Sequence, residues 1–522
     1  MPLDLSVPGQ LTWALFPDVV LMGGAMLLLV WAAWRPEGAG HQRAIGKSSM
    51  LLVLVTIGLV AWFAVRGVTA GPGVVAADLF RWLADLVFLG GALLTLALAV
   101  DYNVREGITA PESHVLVLLA TAGMMLLAAS RDLMVLFLGI ELMSVSSYVL
   151  TGLNRRSPKS AEGALKYFLL GAFSTAFLLY GIALTYGATG HTDYAGIARA
   201  LTDPAVANGG LLKVGAALLV VGLGFKVAAV PFHAWAPDAY EGAPTPITAF
   251  MAASVKAAAF AAFLRLFVEA LPATYGRWHL PLWYLAAATM IVGNIAALAQ
   301  RNIKRLLAYS SVAQAGYVLI AVVVGIGTGL NVGVSGSSAF LFYLIAYTLS
   351  TMGAFAVVSA LGTAGEPHLG VEDYSGLWTV RPGLTLAMSV FMFALLGFPV
   401  FGGVGMWAKW YMLQAALRGG TAPQTYLAVI LVLTSVLSAG YYLYVVTVMF
   451  MRPRPASAGP LPPVGGFTNA VIGVTVTLIL LLGFAPSNVL RAVSQATLTP
   501  GAYVAPPRPA APAPAGVVAE AR

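Results

Sequence analysis

Two lysines, Lys226 and Lys256, each stand inside an apolar run long enough to cross a bilayer, in GLGFKVAAVPFHAWAPDAYEGAPTPITAFMAASVKAAA (222–259). An ammonium at bilayer depth costs about 2.5–3.5 kcal/mol on insertion scales. Pro231, Pro237, Pro244 and Pro246 lie between the two lysines. Proline lacks an amide donor and clashes with the preceding turn, so the first run must break. A broken helix at that depth is tolerated only where it is buried in protein or lines water. Two charges and a break this close together predict a proton or ion path.

A carboxylate joins them. Glu141 lies nine residues past Asp132 in DLMVLFLGIELMSVSSYVL, which places it near the middle of its run at 1.5 Å per residue. Intramembrane carboxylates are functional by default, against the plain alternative of a neutral, hydrogen-bonded acid. Lys226 is its expected partner. An ion pair holds the lysine charged while desolvation opposes that charge. Weakening the pair would let Lys226 release its proton. Lys256 has no obvious carboxylate partner on its own helix. It stands about 15 Å from the nearer end, beyond the reach of a snorkelling stem. Lys409 follows a second break at Pro399 and Gly402-Gly403, closer to a membrane surface.

Weaker candidates surround these four. His233 sits at the first break, where it could relay protons or cap freed backbone. Tyr309, Ser310, Ser311, Gln314, Tyr343, Tyr347, Thr348, Ser350 and Thr351 form polar stripes on two spans. Such stripes bind neighbouring helices or line a hydrated route. Lys166 with Glu162 is expected to be an ordinary i,i+4 pair. Lys213 and Arg265 are expected to snorkel, and Arg81 with Asp85 to pair near a surface.

The whole chain must position these groups inside a membrane. Of its 522 residues, 59% are hydrophobic and 9% charged, where a soluble domain carries about 25% charged residues. The +8 net charge comes from short loops and does not signal nucleic acid. With no cysteine, the chain holds no disulfide, thiolate-bound zinc or Cys-ligated cluster. The histidines His41, His114, His191, His233, His279 and His368 are scattered, so no metal site is expected. Gly325-Ile326-Gly327-Thr328-Gly329 follows a span and opens no βαβ unit, so it does not read as a nucleotide loop. The N-terminus lacks a basic region before its first apolar run and reads as a retained span.

Apolar runs predict an all-α polytopic protein of about fourteen spans. Their limits are 14–34, 47–66, 79–100, 113–130, 132–151, 163–187, 210–230 (with a broken continuation to about 240), 246–270, 280–299, 303–326, 337–362, 381–418 (broken), 425–450 and 468–487. Spans four to eight match spans nine to thirteen in order. Ser147-Tyr148-Val149-Leu150 matches Gly316-Tyr317-Val318-Leu319, Gly224-Phe225 matches Gly397-Phe398, and Ser254-Val255-Lys256-Ala257 matches Ser435-Val436-Leu437-Ser438. Five helices per unit is odd, so the copies must be inverted, and paired breaks mark a transport site. The expected organisation is a three-helix segment (1–112), two five-helix repeats (113–270 and 280–450), a last helix (468–487) and a Pro/Ala-rich disordered tail (488–522). One set of alternate loops holds thirteen Lys and Arg against seven in the other. That bias puts the first set, including Arg155, Arg156, Lys159, Lys304 and Arg305, in the cytoplasm and both termini outside.

Four segments carry a resemblance: SRDLMVLFLGIELMSVSSYVL, NRRSPKSAEGALKYFLLGAFSTAFLLYGIALTYGATG, GFKVAAVPFHAWAPDAYEGAPTPITAFMAASVKAAAF and NIAALAQRNIKRLLAYSSVAQAGYVL. Through most of spans four to thirteen the chain resembles the subunit N family of bacterial NADH–quinone oxidoreductase, respiratory complex I. The segment around Lys166-Tyr167-Phe168-Leu169 separates it from the sister antiporter-like subunits. The resemblance implies a fourteen-helix antiporter-like fold in the membrane arm of a complex in the bacterial inner membrane, beside other membrane subunits. It implies that Glu141 and Lys226 form the coupling pair, that Lys256 is the central proton carrier and that Lys409 lies on the exit branch. FMN, iron–sulfur clusters and quinone are then expected in partner subunits, with no cofactor here. One position departs from the family: histidine is common where this chain has Gln314. Glutamine cannot accept a proton near neutral pH, so a relay through that position requires water. Two further readings stay open. One is a subunit of a multi-subunit cation/proton antiporter, which shares the constellation. The other is a structural anchor whose charges serve only packing.

Overall fold

The computed structural model describes residues 1–522 except 35–37, 72, 325–334, 367–368, 400–402, 419–420, 456–460 and 499–522. The Gly325–Gly329 segment, His368, part of the second break and the end of the tail lie outside the described residues. Twelve described helices are long and apolar enough to cross a membrane. They are α1 (Phe16–Trp34), α2 (Ala39–Val65), α3 (Leu79–Glu106), α4 (Glu112–Ala129), α5 (Leu133–Thr151), α6 (Pro158–Thr189), α9 (Thr245–Ala270), α10 (Pro272–Leu298), α11 (Ile303–Val324), α12 (Gly336–Leu361), α15 (Ala422–Met451) and α16 (Gly466–Phe484). The two remaining expected spans are the broken ones. The first is α7 (Gly210–Lys226) followed by the short α8 (Ala236–Gly242), and the second is α13 (Pro382–Leu396) followed by α14 (Val404–Arg418). Helices dominate because no other open backbone satisfies its own hydrogen bonds in hydrocarbon.

Three helices form the centre: α9 is buried along its whole length, and α11 and α12 nearly so. Alternating small residues let them sit there. α9 is rich in alanine (Ala252, Ala253, Ala257, Ala258, Ala259, Ala261, Ala262), and small side chains allow close packing where lipid gives no hydrophobic drive. Two π-type turns, Met251–Val255 and Leu266–Ala270, flank its middle section Lys256–Arg265. Such wide turns recur at functional sites. Glycines set the closest crossings. A Cβ on Gly123 would lie 2.6 Å from the Met143 nitrogen across α4 and α5, and one on Gly293 would lie 2.5 Å from the Ala313 nitrogen across α10 and α11.

Helix α3 runs the full height, about 40 Å for its length, and an ion network sits at each end. At its start, Asp78 caps the helix through the Arg81 amide (2.9 Å) and accepts from both Arg265 Nη1 (2.8 Å) and Nη2 (2.9 Å). Arg131 bonds both Asp78 (3.2 Å) and Glu269 (2.9 Å). At the other end, Glu106 accepts from the Gly365 amide (2.7 Å), and Glu366 pairs with Lys304 (3.0 Å). Nearby Arg305 bridges Asp238 (2.7 Å) and Glu241 (3.0 Å).

Three expectations change. Arg265 does not snorkel: it is wholly buried and held by Asp78 and Glu269. Arg81 and Asp85 are not a surface pair but are both fully buried, with Asp18 reaching Arg81 from α1. The tail is not irregular from residue 488, because Pro486–Ser494 forms a helix that packs on α12. Helix periodicity located these residues, but depth along an axis does not say which face is covered.

Candidate functional site

Each predicted lysine is buried, and each is held by neutral dipoles. Lys226 is the last residue of α7, at the break itself. Its Nζ donates to Ser144 Oγ (2.6 Å) and Tyr148 OH (2.9 Å), both on α5. Lys256 donates to Ser311 Oγ (2.6 Å) and to the Ser311 carbonyl (3.0 Å) on α11. Lys409, in α14, donates to the Leu396 carbonyl (2.9 Å), freed where α13 ends, and to Ser435 Oγ on α15 (3.2 Å). Lys409 also lies over the Tyr317 ring at 4.7 Å, as Lys226 lies over Tyr148 at 5.1 Å. None of the three forms an ion pair within 4 Å with a described residue. An ammonium balanced only by hydroxyls, carbonyls and ring faces responds strongly to any charge brought near it, because the surrounding dielectric is low.

Glu141 differs from expectation in one respect: it makes no direct bond to Lys226. Its carboxylate accepts from Thr175 Oγ1 of α6 (3.0 Å). Lys226 instead takes Ser144 and Tyr148, one and two turns further along α5, though Glu141 remains within electrostatic range. Helical spacing explains the arrangement. Glu141 falls in the outward stripe of α5 with the exposed Met134, Leu138, Val145 and Val149, whereas Ser144 and Tyr148 face inward. A carboxylate in an apolar outward stripe at bilayer depth requires cover from another protein surface.

The lysines are joined by polar and aromatic groups. Between Lys226 and Lys256 runs a ring series. Lys226 Nζ is 5.8 Å from Tyr167, Tyr167 stacks on Trp235 at 4.2 Å, Trp235 meets Tyr240 at 5.9 Å, and Tyr240 lies 5.8 Å from Lys256 Nζ. Between Lys256 and Lys409 runs one face of α11. Ser311 holds Lys256 and Tyr317 underlies Lys409. Gln314 between them bonds the Leu395 carbonyl (2.9 Å), Tyr442 OH (3.2 Å) and Tyr343 OH. Ser310 also bonds Tyr442. Positions i, i+3 and i+6 share a face over about 9 Å. Tyr240 OH, Ser254 Oγ, Tyr347 OH, Thr348 Oγ1, Thr351 Oγ1 and His233 Nδ1 are buried with no hydrogen-bond partner among the described residues. Native interiors leave few such groups unsatisfied, and this cluster is suited to bound water.

Of the predicted relay residues, Ser310, Gln314 and Tyr343 lie in one hydrogen-bonded group, while Tyr347 and His233 belong to the unpaired set. His233 lies 6.4 Å from the Tyr309 ring and within electrostatic range of Lys256. Sequence reasoning missed Ser144, Thr175, Tyr240, Ser435 and Tyr442 as site residues. The spacing Glu141, Ser144, Tyr148 carried a helical signal for the first. The others come from distant helices and had none. Among the described residues no group of three or more His, Cys, Asp or Glu could hold a metal ion.

Helix α3 closes the site at Gly91, where a Cβ would clash with Ser254 Oγ, two residues before Lys256. Gly91→Val is expected to destabilise the protein by about 1–3 kcal/mol through overpacking, read as a lower melting temperature of the purified assembly. An unchanged melting temperature would show that α3 yields there freely.

The family model described as "NADH:quinone oxidoreductase/Mrp antiporter, TM" matches residues 130–438. The NADH-quinone oxidoreductase subunit N of Gemmatimonas aurantiaca is 48% identical over 95% of this chain and 95% of that protein. Subunit N 2 of Roseiflexus castenholzii is 42% identical over 95% of this chain and 97% of its own. Among solved structures, respiratory complex I from Thermus thermophilus with bound aureothin superposes with a TM-score of 0.76 at 36% identity, covering 92% of this chain and all of the matched one. The Mrp complex from Dietzia sp. gives a TM-score of 0.79 at 24% identity over 94% of this chain and 97% of its own. Fold alone therefore does not separate the two classes; sequence identity does.

Proposed function

This chain belongs to the NADH-quinone oxidoreductase subunit N family and is a proton-translocating subunit of the membrane arm of such a complex; we propose that its protons move through Glu141, Lys226, Lys256 and Lys409. One observation carries the proposal: three buried lysines, none ion-paired with a described residue, are linked by hydroxyls, rings and polar atoms without a described hydrogen-bond partner. A structural anchor would neutralise such charges with carboxylates, as this chain does at both ends of α3. Here the charges stay responsive instead. A change in charge outside Glu141 alters the field at Lys226. Lys226 then hands its proton toward Lys256 through water on the polar face, with Lys409 as the onward site. Gln314 orients water by donating and accepting, without itself taking the proton.

The two five-helix units are inverted duplicates in this reading. Their breaks fall at corresponding spans, and the paired tyrosines Tyr148 and Tyr317 underlie the paired lysines Lys226 and Lys409. The outward stripe of α5 around Glu141 is where a neighbouring membrane-arm subunit docks. Redox cofactors and quinone belong to partner subunits. The Lys159–Lys304–Arg305 end faces the cytoplasm of a bacterial inner membrane and both termini lie outside.

Glu141→Gln tests the route, since it keeps shape and the Thr175 contact but removes the charge. Proton pumping per assembled complex in sealed vesicles is expected to fall at least about tenfold, in the range of a lost proton-transfer group. Full pumping would remove Glu141 from the route. Orientation has a simple test because the chain has no cysteine. A cysteine at Ser6 is expected to react with an impermeant maleimide in cells whose outer membrane has been opened. Reaction only in inverted vesicles would reverse the assignment.

A further inference from the structure

Among the described residues the lysine route leaves unused a buried ionisable cluster at the start of α3, beside the Arg265 network. Arg81 and Asp85 are wholly inaccessible and Asp18 is 5% exposed. Asp18 reaches in from the first turn of α1, and Asp85 lies one turn past Arg81 on α3. The guanidinium donates through Nη2 to Asp18 Oδ2, and through Nη1 to the carbonyls of Ala76 (2.8 Å) and Ala14 (3.2 Å). Its Nε faces Asp85 Oδ2 at 3.4 Å, too poorly placed for a hydrogen bond. Among the described residues Asp18 Oδ1 and both Asp85 oxygens therefore have no hydrogen-bond partner, and Asp85 keeps only the longer ion-pair contact to Arg81.

Charge counting decides what the cluster must hold. The neighbouring charges are Asp78, Glu269, Arg265 and Arg131, and those four balance as two acids shared by two guanidiniums. Asp78, which is within range of Asp85, has no guanidinium to spare for it. The remaining group is one guanidinium with two carboxyls. Asp18 takes the direct guanidinium bond and is the natural anion. An ionised Asp85 would then be a buried charge with no hydrogen bond and only a share of the Arg81 guanidinium, at a cost of several kcal/mol. A carboxylic acid at Asp85 removes that charge and leaves the Arg81 guanidinium to Asp18 of α1.

We propose that Asp85 binds a proton, separate from the lysine route, and that this proton docks the first membrane helix onto α3 beside the Arg81–Asp18 ion pair. The test uses the complete complex, purified with aspartate carboxyls labelled with carbon-13. Asp85→Asn copies the shape and neutrality of the protonated acid. It is expected to assemble and turn over as the unmodified complex does, while losing one carboxylic-acid C=O absorption from the infrared spectrum at neutral pH. Asp18→Asn with Asp85→Asn strips Arg81 of its counter-charge and is expected to lower assembly about tenfold or more. If Asp85→Asn fails to accumulate, the same absorption is read in Asp85→Glu, where it must shift or leave the aspartate-labelled set. An infrared spectrum unchanged by either single variant overturns the proposal. So does a double variant that assembles normally.

Discussion

Replacing Lys256 with alanine is expected to cut quinone-coupled proton pumping per assembled complex at least about tenfold, the loss typical of a missing proton-transfer group. Lys256 sits on the helix that is buried along its whole length, between the ring series from Lys226 and the α11 face leading to Lys409. Alanine would also open a cavity, so Lys256→Met is the better-shaped control and is expected to fail equally. Lys256→Arg preserves the charge but is expected to fail too, because a guanidinium does not give up its proton. Assembly is followed by the amount of complex extracted, and pumping by a pH-sensitive dye in sealed vesicles. Full pumping by Lys256→Met would sink the assignment, whatever its effect on quinone reduction.

Much of this site was legible because membranes punish charge. Lys226, Lys256 and Glu141 stood out as ionisable groups where hydropathy demands none, and the prolines between the lysines marked a break that lies where expected, after Lys226. What stayed hidden was orientation around each axis. Glu141 and Ser144 are three residues apart, yet only Ser144 holds Lys226, because the helix turns the glutamate outward. Arg265 and Arg81 looked like surface residues from their distance to a helix end. Their burial depends on α1, α3 and the segment around Arg131 arriving from elsewhere in the chain, which no local pattern encodes. Hydroxyls such as Ser435 and Tyr442 are ordinary in a membrane helix and gain meaning only from the groups they meet.

Arg265→Met is expected to destabilise the protein by about 3–5 kcal/mol, the usual result of breaking a buried ion pair from one side. Arg265 is the one fully buried member of the four-group network, with Asp78 accepting from two of its nitrogens and Glu269 from one. Without it, Arg131 alone would face two carboxylates. The loss should appear as little or no assembled complex. Arg265→Met combined with Asp78→Asn removes one charge of each sign and leaves Arg131 with Glu269, and asparagine still caps α3. Most of the assembly is therefore expected to return, which a merely bulky role for Arg265 would not predict. Acidity gives a second signature. Burial works to raise the Asp78 carboxyl, but Arg265 and Arg131 outweigh it and hold the group down to about 2. A carboxyl held low contributes stability above its unfolded value near 3.8, and that contribution is lost as pH falls from there toward 2. Stability of the detergent-solubilised complex is thus expected to fall more steeply as pH drops below 3.8 than that of the Arg265→Met, Asp78→Asn variant, which has no carboxyl at that position to protonate. Equal acid sensitivity in the two would mean that the network does not anchor the end of the helix carrying Lys256.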